Sequence, residues 1–225
     1  MSTLMSTLKK LSKAVLFHSP LRKFIFHEYR YMYTPAQLMF LVDAIDETRH
    51  VKGAIYEIGC SEGATTVFLN KHMTDTDLEK PYVCIDTFSG FVANDVQVET
   101  TQRNKQPSSY LGFRSNALHW FEYTMRTNGI ARVCAIQADV KTYRFDHPIS
   151  FCLLDVDLYQ PTLVALNNLW PHLSEGGVVI VDDCEDDTAF DGASQAYREF
   201  VVANELPLEI RHRKLGILRK HSRPA

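Results

Sequence analysis

Along the chain, short apolar runs rich in β-branched residues alternate with longer stretches whose apolar positions recur every three or four residues. The first pattern fits buried strands and the second fits helices with one buried face. Ala54 to Leu69 (A-I-Y-E-I-G-C-S-E-G-A-T-T-V-F-L) reads as a strand, a glycine turn and a helix. Further strands are predicted at Pro81 to Ile85, Arg132 to Gln137, Ile149 to Leu154 and Val178 to Val181. Between them, helical spacing runs from Pro35 to about Thr48 (Leu38, Leu41, Val42, Ile45) and from Asn116 to Thr127. It returns after Pro161 (Leu163, Leu166, Leu169, Trp170) and from Ala193 to Ala203. Ser174-Glu175-Gly176-Gly177 reads as a turn, and Leu208 to Ile210 with Leu215 to Leu218, around Arg211-His212-Arg213, read as a closing hairpin. Five strands alternating with helices, then a hairpin, predict an α/β fold. Its sheet is doubly wound, mainly parallel and seven-stranded, with a C-terminal antiparallel hairpin.

Two stretches fall outside that alternation. Residues 4–17 space leucines helically with lysines between them, and Phe24 to Tyr33 is unusually aromatic (Phe24, Phe26, Tyr29, Tyr31, Tyr33, with His27). Residues 1–35 are therefore expected to be a basic, aromatic arm, able to line a pocket, hold a homo-oligomer together or pack over a domain edge, with the main domain at 36–225. The region from Ser89 to Ser109 is polar and without strong periodicity. A loop this long inside a domain is commonly a lid, so a lid or insert is expected at about 89–115.

At 225 residues with 45% hydrophobic content the chain can bury one sizeable core. Five well-separated cysteines, mostly in or beside predicted strands, argue against a zinc site or disulfide framework. They are expected to be reduced, buried thiols, which points to a cytoplasmic protein. The apolar run Ala14 to Phe17 is too short to span a membrane, and no convincing signal-peptide cleavage site follows it. Net charge is −3, but it is unevenly spread. Residues 1–35 carry six Lys/Arg against Glu28, 208–225 carry six against Glu209, and 36–207 hold 12 basic against 25 acidic residues. Basic ends can meet an anionic partner, although no nucleic-acid-binding motif accompanies them.

The acidic body changes the picture, because its carboxylates stand at the ends of predicted strands. In an open α/β sheet, ligands bind at those carboxyl ends. Gly59 and Gly63 form a strand-to-helix turn that presents backbone N–H groups to a ligand. Ser61 stands where a dinucleotide fingerprint needs its middle glycine, which disfavours a pyrophosphate. Glu57 interrupts an apolar strand and is costly to bury without a partner, for which a ligand amine or hydroxyl would serve. Asp86 ends the second strand, where a ribose-binding acid is expected, and Asp139 follows the third, within reach of an adenine amino group. Together these features suit S-adenosylmethionine, which has an amine and a ribose but no phosphate. Asp155, Asp157, Asp182 and Asp183 end the fourth and fifth strands. Asp155 with Asp182 and Asp183 makes an all-oxygen set suited to Mg²⁺. Alternatively, the Asp182-Asp183 pair caps the following segment and Asp155 contacts only the cofactor.

E-I-G-C-S-E-G, I-D-T-F-S-G-F, L-D-V-D-L-Y-x-P-T-L, L-S-E-G-G-V-V-I-V-D-D and D-G-A-S-Q-A-Y-R-E-F together resemble the macrocin O-methyltransferase family over about residues 50–205. The resemblance implies a Rossmann-like class I methyltransferase that uses S-adenosylmethionine and Mg²⁺ to methylate a sugar hydroxyl. It implies that Asp155, Asp182 and Asp183 hold the metal and that Asp157 is the base. Glu57, Gly59, Gly63, Asp86, Thr87, Phe88, Ser89 and Asp139 would surround the cofactor, and Ser61 of the glycine turn and Asp155 are counted with them as candidate cofactor contacts. The acceptor is then a small molecule or glycoside, with a catechol-like diol as a near variant. Two readings from other classes stand beside it. One is a nicotinamide-dependent oxidoreductase, which Ser61 disfavours, and the other is a non-catalytic nucleotide-binding module.

Overall fold

The computed structural model describes residues 3–20, 22 and 29–221, which divide into two compact units, Met1–Met32 and Tyr33–Ala225. In the first, the amphipathic pattern forms helix α1 (Thr3–Phe17). Of the aromatic segment, Tyr29 and Tyr31 pack with ring centroids 5.6 Å apart, while Phe24, Phe26 and His27 lie outside the described residues.

The second unit begins with helix α2 (Pro35–Glu47), started by a reciprocal capping box in which Thr34 and Gln37 each bond the other's backbone N–H. Strand β1 (Ala54–Ile58) and helix α3 (Ala64–Asp75) follow. Then come β2 (Tyr82–Asp86), α4 (Ala93–Thr101), α5 (Leu118–Thr127), β3 (Val133–Gln137) and β4 (Ile149–Leu154). The unit closes with α6 (Tyr159–Leu169), β5 (Leu173–Val181), α7 (Gly192–Ala203), β6 (Ile210–Arg211) and β7 (Leu215–Arg219). The strands form one seven-stranded sheet in the order β3-β2-β1-β4-β5-β7-β6. β1 to β5 are parallel, and β7 runs antiparallel between β5 and β6. Among the described residues no helix is long and apolar enough to cross a membrane.

The central strands explain why the pattern was readable. β1 and β4 are buried at every position, as parallel strands covered on both faces must be, so they appear as unbroken apolar runs. Edge strand β3 is only partly covered, and its Cys134 is exposed while the other four cysteines are buried. The expectation of buried thiols is corrected there. A strand at the end of a sheet has no neighbour on one side to cover it.

Two further expectations are revised. Ser174 to Gly177, read as a turn, lies inside β5: Ile149 pairs with Leu173, and Phe151 already pairs with Val178, so the intervening residues bulge. Backbone bonds from Gly176 N to Lys220 O (2.7 Å) and from Lys220 N to Gly177 O (3.1 Å) satisfy the bulge. The Ser89 to Ser109 region is not all loop, since it contains α4 and a 3₁₀ turn at Pro107–Tyr110. The buried residues of α4 are Asp95 and Glu99, not apolar ones, which hides the helix from a search for hydrophobic periodicity.

The sheet order reverses between β1 and β4, and the loops leaving these strands touch at their backbones. Gly59 has φ +87°, and a Cβ there would lie 1.7 Å from the Asp155 carbonyl oxygen. Only glycine accommodates both the dihedral and the approach. Gly59→Ala is expected to destabilise the domain by on the order of 3 kcal/mol, through a displaced Asp155 loop. Thermal unfolding followed by circular dichroism checks this, and a melting temperature equal to that of the native chain would show that the two loops are not in contact.

Candidate active site

The turn after β1 is shaped by its own backbone and by Asp86. Gly59, Ser61 and Gly63 all have positive φ (87°, 48° and 87°), so the turn curls tightly before α3 begins. Asp86, at the end of β2, holds it in shape: one carboxylate oxygen accepts from Ser61 N (2.8 Å) and the other from Phe88 N (2.7 Å). Phe88 is buried with its ring against Phe121. Thr87 Oγ1 donates to Gly90 O and accepts from Ser89 N, so the Thr87 to Gly90 turn is closed on itself. Asp139, beyond β3, accepts from Lys141 N at 2.9 Å. The ammonium of Lys141 stands 3.6 Å from Asp139 and also bonds Asp95 of α4.

Glu57 is 2% exposed. Its carboxylate partner is within the protein: Tyr82 donates from its hydroxyl at 2.6 Å. Burial pushes Glu57 up to about 7, against the opposing hydrogen bonds from Tyr82 and Thr66.

The second cluster lies at the ends of β4 and β5. Asp155, Asp157 and Asp183 each bring one carboxylate oxygen to within 4.8 Å of the others. Asp157 and Asp183 reach this arrangement from left-handed backbone conformations (φ 62° and 55°). The convergence of Asp155 and Asp157 is therefore a product of a turn, not of alternation along an extended strand. Burial raises Asp155 and Asp157 well above the usual carboxylate range. Their neighbours add to this, Asp182 chief among them for Asp155 and Asp155 for Asp157. Asp182 stands beside the trio, 4% exposed and pushed up to about 6 by burial and by Asp183. Its Oδ2 accepts from Lys214 Nζ at 2.7 Å, and its Oδ1 is buried with no hydrogen-bond partner among the described residues. The trio that converges thus contains Asp157 where the sequence set Asp182 with Asp155 and Asp183; three carboxylates with the orphaned Asp182 oxygen beside them are a donor set that fits a hard divalent cation.

Two residues of this cluster were not found from sequence. Tyr33 donates its hydroxyl to Asp155 Oδ2 at 2.8 Å. Lys214, in the β6–β7 turn, bonds Asp182 and reaches Asp183 Oδ1 at 3.2 Å, with its ammonium 5.0 Å from the Tyr33 ring centroid. Burial alone would lower Lys214, but Asp182 and Asp183 override it and hold the ammonium well above its ordinary range. Tyr33 had been one aromatic residue among several, and Lys214 one basic residue in the run Arg211-His212-Arg213-Lys214. Composition does not single out which of them turns inward.

The insert is fastened to the segments that follow β4 and β5 through polar anchors. Glu99 is 1% exposed and accepts from Tyr159 N and from Arg103 Nε, both at 2.7 Å. Arg103 and Lys105 converge on Asp191, each at 2.6 Å. Phe91, Tyr110, Phe113 and Phe190 pack together, joining the insert to the loop after β5.

A family model described as "Methyltransferase domain" matches residues 56–184. No curated protein matches the chain. Among solved structures, the chain is similar to the O-methyltransferase NovP at 18% identity, over 87% of this chain and 84% of that one, with a TM-score of 0.71. It is similar to CalS11, a calicheamicin methyltransferase, at 20% identity over 97% and 93% of the two chains, with a TM-score of 0.68. An apo structure of CalS11, described as a TDP-rhamnose 3'-O-methyltransferase, matches at 18% identity over 97% and 95%, with a TM-score of 0.59. At these identities the likeness is one of fold.

The raised Glu57 sets a pH dependence. A carboxyl whose folded value lies above its unfolded one favours the folded state most below the unfolded pKa, and that advantage is lost as pH rises through the folded value. The window runs from the ordinary carboxylate range to about 7. Glu57→Gln keeps an acceptor for Tyr82 without the charge, and at pH 8 it is expected to be more stable than the native chain by up to about 3 kcal/mol. At pH 4 the two should melt together. Denaturant unfolding at both pH values measures this, and an equal gap at pH 4 and pH 8 would place the cause in packing.

Proposed function

This chain belongs to the methyltransferase-domain family, and on that premise we propose that it is an S-adenosylmethionine-dependent, Mg²⁺-assisted O-methyltransferase. Its acceptor in this reading is a sugar hydroxyl of a glycosylated natural product or glycan, as in enzymes of the macrocin type. The observation that carries the proposal is the convergence of Asp155, Asp157 and Asp183, with Asp182 behind them, at the end of the sheet that also holds the β1 glycine turn. The fold likeness to the O-methyltransferase NovP supports the reaction class, and that to CalS11, described as a TDP-rhamnose 3'-O-methyltransferase, supports the acceptor class.

S-adenosylmethionine supplies an electrophilic sulfonium methyl group. The turn Gly59 to Gly63 is the seat we assign to it, with Asp86 as acceptor for the ribose hydroxyls and Asp139 beside the adenine. Thr87, Phe88 and Ser89 form the wall between those two acids. Glu57 supports this seat from beneath, through its bond to Tyr82, and Asp155 borders it through the close approach to Gly59.

Asp155, Asp182 and Asp183 are the residues assigned to a divalent ion, which when bound supplies Lewis acidity and alignment to the acceptor oxygen. Asp157 is the assigned base. A sugar hydroxyl titrates far above neutral pH, so a proton acceptor has to be in place as the oxygen attacks. Asp157 suits that role because burial, and after it Asp155 and Asp183, hold its proton affinity well above that of a free aspartate. The insert, anchored by Glu99, Arg103 and Lys105, is the segment we assign to excluding water from the reacting groups.

The test separates cofactor from chemistry. Calorimetry with S-adenosylhomocysteine should show binding that Asp86→Ala weakens at least about tenfold, a loss of about 1.4 kcal/mol. With a panel of glycosides and S-adenosylmethionine, mass spectrometry should detect a methyl addition that chelator abolishes while cofactor affinity persists. Asp157→Asn should keep cofactor affinity and lose roughly 10²-fold or more in turnover. Methylation undiminished by chelator would overturn the metal-assisted reading, and binding of NAD without response to S-adenosylhomocysteine would overturn the methyltransferase chemistry itself.

A further inference from the structure

The acidic cluster holds a cation of its own. Lys214 Nζ lies 2.7 Å from Asp182 Oδ2 and 3.2 Å from Asp183 Oδ1, bonding two of the three carboxylates assigned above to the divalent ion. The lysine is not a loose side chain that has strayed into the cleft. Its carbonyl accepts from Cys184 N at 2.8 Å, which fastens the hairpin turn directly beside Asp183. His212 O, two residues earlier, accepts from Gln37 Nε2 at 3.0 Å, so the turn is also tied to the start of α2. The ammonium lies over the ring of Tyr33, 5.0 Å from its centroid, and the Tyr33 hydroxyl occupies Asp155 Oδ2. Each carboxylate assigned to the metal therefore has one oxygen engaged by Tyr33 or Lys214. Asp182 Oδ1 is left without a partner among the described residues.

We infer that Lys214 is a resident counter-cation that competes with the divalent ion for Asp182 and Asp183 and so keeps the metal affinity of the free enzyme low. The inference rests on the metal assignment under the proposed function. Its physical basis is charge: an ammonium bonded to two ligand carboxylates repels an incoming dication at close range and occupies the oxygens that the ion requires. Binding becomes favourable once an acceptor adds its own oxygens to the ion. Metal uptake is then coupled to acceptor binding, and the cluster is not left as uncompensated negative charge between turnovers. Lys214 acts here through the carboxylates and is a positioning residue.

The experiment titrates the full chain, free of cofactor and acceptor, with Mg²⁺ and separately with Mn²⁺ by calorimetry. Lys214→Met is expected to bind either ion at least about tenfold more tightly than the native chain. Lys214→Arg, which keeps the charge, should stay within about threefold of it. The melting temperature provides a second readout. Lys214→Met without metal should melt lower than the native chain and gain more degrees on adding Mg²⁺. If Lys214→Met does not fold, Lys214→Gln, which keeps a hydrogen-bond donor for Asp182 without the charge, carries the same expectation. Tighter binding in the neutral variants, including binding where the native chain shows none, supports the counter-cation. Binding to the native chain that is unchanged or weakened in the neutral variants overturns it and leaves the metal assignment standing. No binding to either form overturns both.

Discussion

Four aspartates at the ends of two neighbouring strands, partly or wholly withdrawn from water, form the constraint on which the rest of this structure depends. Such a group is unfavourable when ionised without compensation, and the direction of the shifts at Asp155, Asp157 and Asp182 records that cost. The protein meets it with groups drawn from the two margins of the domain. Tyr33 precedes the first helix of this unit, and Lys214 sits in the last hairpin. The antiparallel β7, inserted between β5 and β6, is what brings that hairpin turn to the carboxyl end of β5. The topology of the sheet edge thus serves the electrostatics of the cleft.

On the other side of the cleft the same logic works with the insert. Its helix α4 buries acids, not hydrocarbons, and each acid is satisfied from a different element: Asp95 by Lys141 after β3, Glu99 by Arg103 and by the first backbone N–H of α6. Removing one partner from such a network leaves a buried charge exposed to its full desolvation cost. The insert is consequently specified by pairing, together with a small aromatic cluster.

These differences decide what could be read from the sequence. The parallel strands were legible because Ala54–Ile58 and Ile149–Leu154 are buried on both faces and tolerate almost no polar residue. The strand-end acids were legible for the complementary reason: a carboxylate that closes an apolar run stands out. Their partners were not. Glu57 was expected to need a partner, but that Tyr82 supplies it depends on the register of β1 against β2. Lys214 and Tyr33 are drawn from runs of like residues, and only tertiary packing selects one member of each. Helix α4 was missed because hydrophobic periodicity does not register a polar buried face, and the β5 bulge because Gly176-Gly177 is turn chemistry that the neighbouring Lys220 backbone converts into sheet.

The hairpin that carries Lys214 has a consequence for the order in which the molecule assembles. β7 pairs with both β5 and β6, so its place in the sheet depends on β5 being there to receive it. Tyr33, on the other flank, meets Asp155 across 122 residues of chain. Contacts of such long separation form late and slowly. A nascent or partly unfolded chain can therefore possess most of its sheet and its glycine turn while its acid cluster still lacks both anchors. The cluster is complete only when these two distant parts of the chain meet over the same carboxylates.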